Sequence, residues 1–170
     1  GTVQFTVFIE PFCGYCHQFK ATINQLIQEH KDLKIIMRDI PFLAEASPMV
    51  VKALIASHAQ GKYLEFQNAV KEIEPSLTEA KLMQIAQSVN IDINKLKTDM
   101  ESDAVKTIIE SNLTIAKDLN LSATPLIVTK EQLLMGAAPI EKMTEILYGT
   151  KVFITPGFIS SDTLALILIS

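Results

Sequence analysis

Cysteine is scarce in this 170-residue chain, which holds two, Cys13 and Cys16. Two cysteines cannot form the disulfide framework that staples small folds, and a core of this size needs none. The pair therefore points to function rather than scaffolding. Basic charge is short as well. Lysine and arginine number 15 against 19 acids, a net charge of −4, and no basic run interleaved with aromatics appears. That argues against nucleic acid as a partner, because phosphate binding needs a basic field. Long apolar runs are missing too. The longest late one, Leu164 to Ile169, is far below the roughly 20 residues of a membrane span and reads as a buried terminal helix or strand. No signal peptide is visible. Gly1 opens almost directly on strand-like residues without an initiator methionine. We read this as a trimmed or mature form, so the missing signal carries no information. What is plentiful is apolar. A chain 48% hydrophobic and 20% charged is globular, with one core or one core plus a large insertion.

Periodicity divides the chain into three stretches. Val3 to Glu10 reads as a buried strand broken by Pro11. Phe19, Ile23, Leu26 and Ile27 then lie on one helical face. Lys34 to Ile40 is a second strand, closed by Pro41. Strand, helix and strand in this order make a βαβ unit with parallel strands. From about Ser47 to Leu119 nearly everything is helix-like. Tyr63, Phe66, Val70 and Ile73 form one stripe. Ser76-Leu77-Thr78-Glu79 has the pattern of a capping box, Asp92 suits a cap, and a break is expected near Ser102-Asp103. Strand character returns at Pro125 to Thr129, with Gln132 to Met135 as its hairpin partner. Gly136 ends that strand, and Ala138 to Leu147 reads as a helix with Pro139 in its first turn. Val152 to Ile169 repeats the plan of strand, glycine turn and helix.

The two cysteines stand in Cys13-Gly14-Tyr15-Cys16, at the junction of the first strand and the first helix. A Cys-x-x-Cys so placed is the chemistry of a dithiol/disulfide centre. Unpaired N–H groups and the positive end of the helix dipole favour thiolate over thiol there, and the thiolate is the reactive form. The three-residue spacing puts both sulfurs on one helical face. The mechanism calls for an exposed first sulfur. Cys13 to His17 also spells C-x-x-C-H, the attachment signature of a c-type haem, so an electron carrier is a rival reading. Zinc is a weaker rival, because His30 and His58 would have to complete the site from afar. A third is a peptide-binding or chaperone-like module whose dithiol is incidental.

Neighbouring residues carry two readings each. His17 is a partly exposed helix residue or a tuner of the thiols. Phe12 and Tyr15 are helix-start packing or an apolar docking lip. Glu10 reads as an exposed turn carboxylate, or as a proton acceptor near the buried sulfur. His30 and His58 read as surface residues.

Phe12-Cys13-Gly14-Tyr15-Cys16, a helical block, and then Leu121-Ser122-Ala123-Thr124-Pro125 together resemble the DsbA-like thiol:disulfide oxidoreductases of the thioredoxin superfamily. The likeness spans about residues 3 to 147. It implies an α/β fold, a thioredoxin fold with a multi-helix insertion. The core would comprise residues 1–44 and 120–170, and the insertion residues 45–119. It implies that Cys13 is the nucleophile, Cys16 the resolving thiol, and Thr124–Pro125 a cis bond facing the sulfurs. Thr124, Pro125, Gly14, Tyr15, Phe12 and His17 would shape the substrate site, with no metal or organic cofactor beyond the Cys13–Cys16 disulfide. Cysteine-containing polypeptides would be the substrates, a membrane protein the redox partner, and the bacterial periplasm or cell envelope the location. Gly14-Tyr15, His17 and Thr124 look like the active site of DsbC-type isomerases, so oxidase and isomerase both stand. Such isomerases are commonly oligomers with an extra amino-terminal segment, and a homo-oligomer is expected if one has been removed here. The chain departs from the family at Ala123, where glycine is common. It departs again at Val7, six positions before Cys13, where many oxidases carry an acid.

Overall fold

The computed structural model describes residues 2–149. The strand–glycine–helix repeat expected at Val152 to Ile169 lies outside the described residues. Strand β1 (Gln4–Ile9) runs into helix α1 (Gly14–Glu29) and returns as strand β2 (Lys34–Asp39). The two strands are parallel, in register from Gln4 opposite Lys34 to Ile9 opposite Asp39. β3 (Leu126–Val128) pairs antiparallel with β1, and β4 (Leu133–Met135) antiparallel with β3, giving the order β2-β1-β3-β4. Helix α7 (Ile140–Tyr148) follows, with Pro139 at its N-cap rather than inside its first turn. Proline suits that position because its missing N–H is not needed there.

Alternation along β1 serves two cores, since successive side chains point to opposite faces. Phe5, Val7 and Ile9 pack with Phe19, Ile23 and Leu26 of α1, with Ile127, and with Met143 of α7. Phe8 points the other way and packs with Ile40, Leu126 and Ala116. Ala116 belongs to the last helix of the block between the two halves of the sheet. That block comprises α2 (Ser47–Ser57), α3 (Tyr63–Ala69), α4 (Glu79–Ser88), α5 (Ile93–Met100) and α6 (Asp103–Asp118). It has its own buried cluster around Val50, Leu54, Phe66, Leu82 and Leu96. Each such side chain contributes about 1.5–3 kcal/mol by leaving water.

Capping residues set the helix starts. Asp92 accepts from Lys95 N at 3.1 Å, and Ser102 Oγ accepts from Val105 N at 3.3 Å, producing the break expected there. The cap of α4 is Thr78, whose Oγ1 accepts from Lys81 N at 3.3 Å, and not Ser76. Ser76 is held back in the turn that Leu77 N closes onto Glu74 O. The stripe from Tyr63 to Ile73 is also shorter as a helix than its spacing suggests. α3 stops at Ala69, and Val70, still buried, leaves the helical conformation. Lys20 supplies the reason. Its Nζ donates to Gln67 O at 2.7 Å and Val70 O at 3.2 Å, satisfying carbonyls at the end of the helix.

Candidate active site

Cys13 ends the loop after β1 and caps α1 in extended conformation, with φ −83° and ψ 117°. Its Sγ accepts from Cys16 N at 3.2 Å, taking one of the N–H groups that the first turn leaves unpaired. On its other side the Cys13 thiol donates to Thr124 O at 3.3 Å. The Thr124–Pro125 peptide bond is cis. Pro125 O accepts from Gly136 N at 2.9 Å, which ties this loop to the end of β4. So two segments 111 residues apart in sequence meet at one sulfur. Both cysteines are free thiols.

The expectation of an exposed Cys13 is corrected. Its exposure is 6%, because Sγ folds back over the first helical turn and abuts Thr124. The open side is over Gly14, where an added Cβ would meet nothing within 4 Å. Tyr15 projects into solvent at 67% exposure. Phe12 is partly buried and packs against the helical cluster. Cys16 is buried, and burial, then the neighbouring Cys13, push its thiol up to about 12. The Glu10 backbone and the Thr124 side chain act in the opposite, weaker direction.

His17 Nε2 lies 2.7 Å from Pro11 O. A carbonyl only accepts, so Nε2 carries the proton and Nδ1 is the acceptor, buried without a partner. Burial holds the ring below its ordinary value, with Lys20 acting the same way, so His17 is neutral at neutral pH. His30 is half-buried, stacked on Tyr148 with ring centroids 4.1 Å apart, and so is less of a surface residue than its sequence context suggests.

A group of charged residues escapes notice in the sequence. Lys20, one helical turn after Cys16, and Asp39, at the end of β2, line a cavity of about 10 Å³ together with Glu10 and Leu54. That is space for about one water. Tyr63 donates to Asp39 Oδ2 at 2.8 Å, and Oδ1 is buried without a partner. Burial pushes the Asp39 carboxyl up to about 7 and the Lys20 ammonium down to about 8. Asn112 of α6 donates to Asp39 O at 3.1 Å and accepts from Arg38 at 2.9 Å. The inserted helices thus grip the end of β2. Two signals could have found these residues. Lys20 falls at the i+4 position from Cys16 between two core residues, and Asp39 closes a strand of apolar neighbours. Glu10 is buried at 1% exposure and fully hydrogen-bonded, which corrects its reading as an exposed turn carboxylate.

Residues 4–148 match the family model described as the DSBA-like thioredoxin domain. The chain belongs to that family. The DSBA-like fold is shared with solved structures. A thioredoxin-like oxidoreductase from Silicibacter pomeroyi DSS-3 is 26% identical, with a TM-score of 0.80 over 87% of this chain and 86% of that one. The thiol-disulfide exchange protein alpha-DsbA2 from Wolbachia pipientis is 24% identical, with a TM-score of 0.80 over 87% and 81%. A periplasmic thioredoxin-like protein from Salmonella enterica serovar Typhimurium is 18% identical, with a TM-score of 0.73 over 86% and 83%. No curated protein matches the chain.

Membership makes the chain a DsbA-like thiol:disulfide oxidoreductase, a thioredoxin fold with a helical insertion. His17 Nε2, the ring nitrogen that a c-type haem would take, lies 2.7 Å from Pro11 O. Among the described residues, no group of three or more His, Cys, Asp or Glu side chains could hold a metal ion. Nor is any described helix long and apolar enough to cross a membrane.

Proposed function

We propose that this DSBA-like domain exchanges disulfides with cysteine-containing polypeptides of the bacterial periplasm or cell envelope. Cys13 would be the attacking and attacked sulfur, and Cys16 the resolving one. The supporting observation is the position of Cys13 Sγ, held between Cys16 N and the carbonyl of Thr124 at the cis-proline. In the oxidised form a substrate thiolate attacks Cys13 Sγ. The Cys13–Cys16 bond breaks, and the pair of electrons leaves on Cys16, which takes up a proton because its buried thiol holds one up to about pH 12. A second substrate thiolate attacks the substrate sulfur of the mixed disulfide and releases Cys13. The substrate has lost two electrons and gained a disulfide; the protein holds both as a dithiol. In the reduced form Cys13 attacks a mispaired disulfide and releases one substrate thiolate. Another substrate thiolate then attacks the substrate sulfur of the mixed disulfide, pairs with it and releases Cys13 with no net change in electrons. Cys16 is the escape route that instead frees Cys13's partner as a thiol and leaves the protein oxidised. The dithiol needs no metal or organic cofactor, and a membrane redox partner would restore its disulfide.

The test is refolding of a reduced and of a scrambled disulfide protein. Activity on the reduced substrate alone assigns oxidation, and recovery of the scrambled one assigns isomerisation. Loss of turnover in Cys13→Ala separates an enzyme from a chaperone-like module with an incidental dithiol. Retained activity in that variant would overturn the proposal.

A further inference from the structure

The end of β1 away from the dithiol borders a gap in the sheet. Val3 O accepts from Lys34 N and Ile9 O accepts from Ile40 N, both at 2.9 Å. The backbone groups of the odd-numbered residues from Val3 to Ile9 therefore face β2. Those of the even-numbered residues face the other way, towards β3, because amide direction alternates along a strand. Thr6 and Phe8 stand opposite Val128 and Leu126 there. Gln4 has no such neighbour, because β3 stops at Val128. The chain turns at that point. Thr129 N donates to Gln132 O at 3.0 Å, and Gln132 N donates to Thr129 Oγ1 at 3.1 Å, which commits it to the hairpin with β4. Among the described residues, the N–H and C=O of Gln4 have no backbone partner on that side.

A cleft of about 700 Å³ opens at this gap. Residues 2–6 form one wall, residues 128–131 the other, and Ile146 and Leu147 of α7 close the end. Its size is that of ordinary binding pockets, about 300–1,000 Å³. Val3, Val128, Ile146 and Leu147 are each half-buried, so apolar surface lies beside a free strand edge. An extended segment fits such a place by adding a strand, its backbone pairing with the edge and its side chains covering the apolar walls.

The chain itself arrives here. Leu147 lines the cleft and α7 ends at Tyr148, whose hydroxyl donates to Asp32 Oδ1 at 3.3 Å and whose ring stacks on His30. Gly149, at φ 78°, then turns the chain out of the helix in a conformation that glycine adopts freely. Thr150 and Lys151 lead to Val152-Phe153-Ile154-Thr155, four residues of types that favour strands. Five steps of extended chain from Leu147 to Val152 reach about 17 Å, enough to enter the cleft that Leu147 lines.

We infer that residues 152–155 dock in this cleft as a further strand, pairing with β1 at Gln4 and laying apolar side chains against Val3, Val128 and Leu147. The cleft is thus a docking surface for the chain's own carboxy-terminal stretch. It lies at the opposite end of β1 from Cys13, so the inference stands apart from the proposed exchange activity.

The test is amide hydrogen exchange by NMR on the full chain. Gln4 N–H is the readout, and Thr6 and Phe8 N–H, already facing β3, are internal references. Gln4 should exchange about tenfold more slowly in wild type than in a Phe153→Ser, Ile154→Ser variant, as one net strand hydrogen bond implies, while both references hold. Wild type should also show nuclear Overhauser contacts from the Phe153 ring to the side chains that wall the cleft. Equal exchange of Gln4 in the two proteins, or no contact from Phe153 to those walls, would overturn the inference. In a mixture of labelled and unlabelled wild type the contacts should stay within one molecule. Contacts crossing between molecules would mean that a second copy fills the cleft, and would overturn it as well.

Discussion

Replacing Asp39 by asparagine should stabilise this protein, by an amount that depends on pH. Asp39 is fully buried, and burial raises its carboxyl from the ordinary 3.8 to about 7. Tyr63 and the nearby Lys20 favour the ionised form without outweighing burial. Below pH 3.8 both folded and unfolded chains keep the proton, and the two variants should be alike in this respect. Between 3.8 and about 7 the unfolded chain releases a proton that the folded one retains, so wild-type stability falls as pH rises. Above about 7 both states are ionised and the loss is complete. At about 1.4 kcal/mol per pH unit, the interval from 3.8 to about 7 amounts to about 4 kcal/mol. Asparagine never ionises, and its oxygen can still accept from the Tyr63 hydroxyl. The assay is urea unfolding of both proteins at half-unit steps from pH 4 to 7.5, where Lys20, pushed down to about 8, stays mostly charged. The stability gap should widen steadily towards neutral pH and then level off. Parallel curves across that range would refute the account of Asp39 as a carboxyl held protonated by burial.

Further outcomes concern the dithiol and its surroundings. In the reduced protein, iodoacetamide at pH 8 should label Cys13 well ahead of Cys16, whose thiol is 2% exposed and pushed up to about 12; mass spectrometry showing equal labelling would contradict this order. Cys16→Ala should accumulate mixed disulfides with substrate on non-reducing gels, because the internal thiol that releases them is gone; free protein throughout would count against a resolving role. Gly14→Ala should melt within a few degrees of wild type, since a Cβ there meets nothing within 4 Å. A large drop in its melting temperature would mean that the first turn of α1 is tighter than described. Thr78→Ala should cost about 1 kcal/mol by removing the cap of α4, measurable by urea unfolding, whereas Ser76→Ala should cost little.

Much of the architecture was legible because it rests on local rules. Strand periodicity, proline breaks and helical spacing located β1, α1, β2 and the helical block, and the parallel pairing followed from their order. Asp92 and Ser102 announced their caps by residue type. Misplacements occurred where a competing hydrogen bond, distant or local, intervened. α3 ends early because Lys20, 47 residues before Gln67, takes its carbonyl. Ser76 yields the cap of α4 to Thr78 because a turn from Glu74 engages the chain first.

The amino-acid order by itself determined the dithiol. Two cysteines three apart, behind a strand and at the head of a helix, leave few other chemistries, and the pairing with Thr124-Pro125 narrowed the family. Only the tertiary structure decided how those atoms are surrounded. Cys13 is covered rather than exposed, Glu10 is buried and saturated, and Asp39 and Lys20 share a small cavity with Glu10. The physical reason is that spacing along one chain encodes which side chains share a face, a matter of a few residues. Burial and hydrogen-bond partners arise when segments from β2, the inserted helices and the cis-proline loop close around one point, and no local pattern records that meeting.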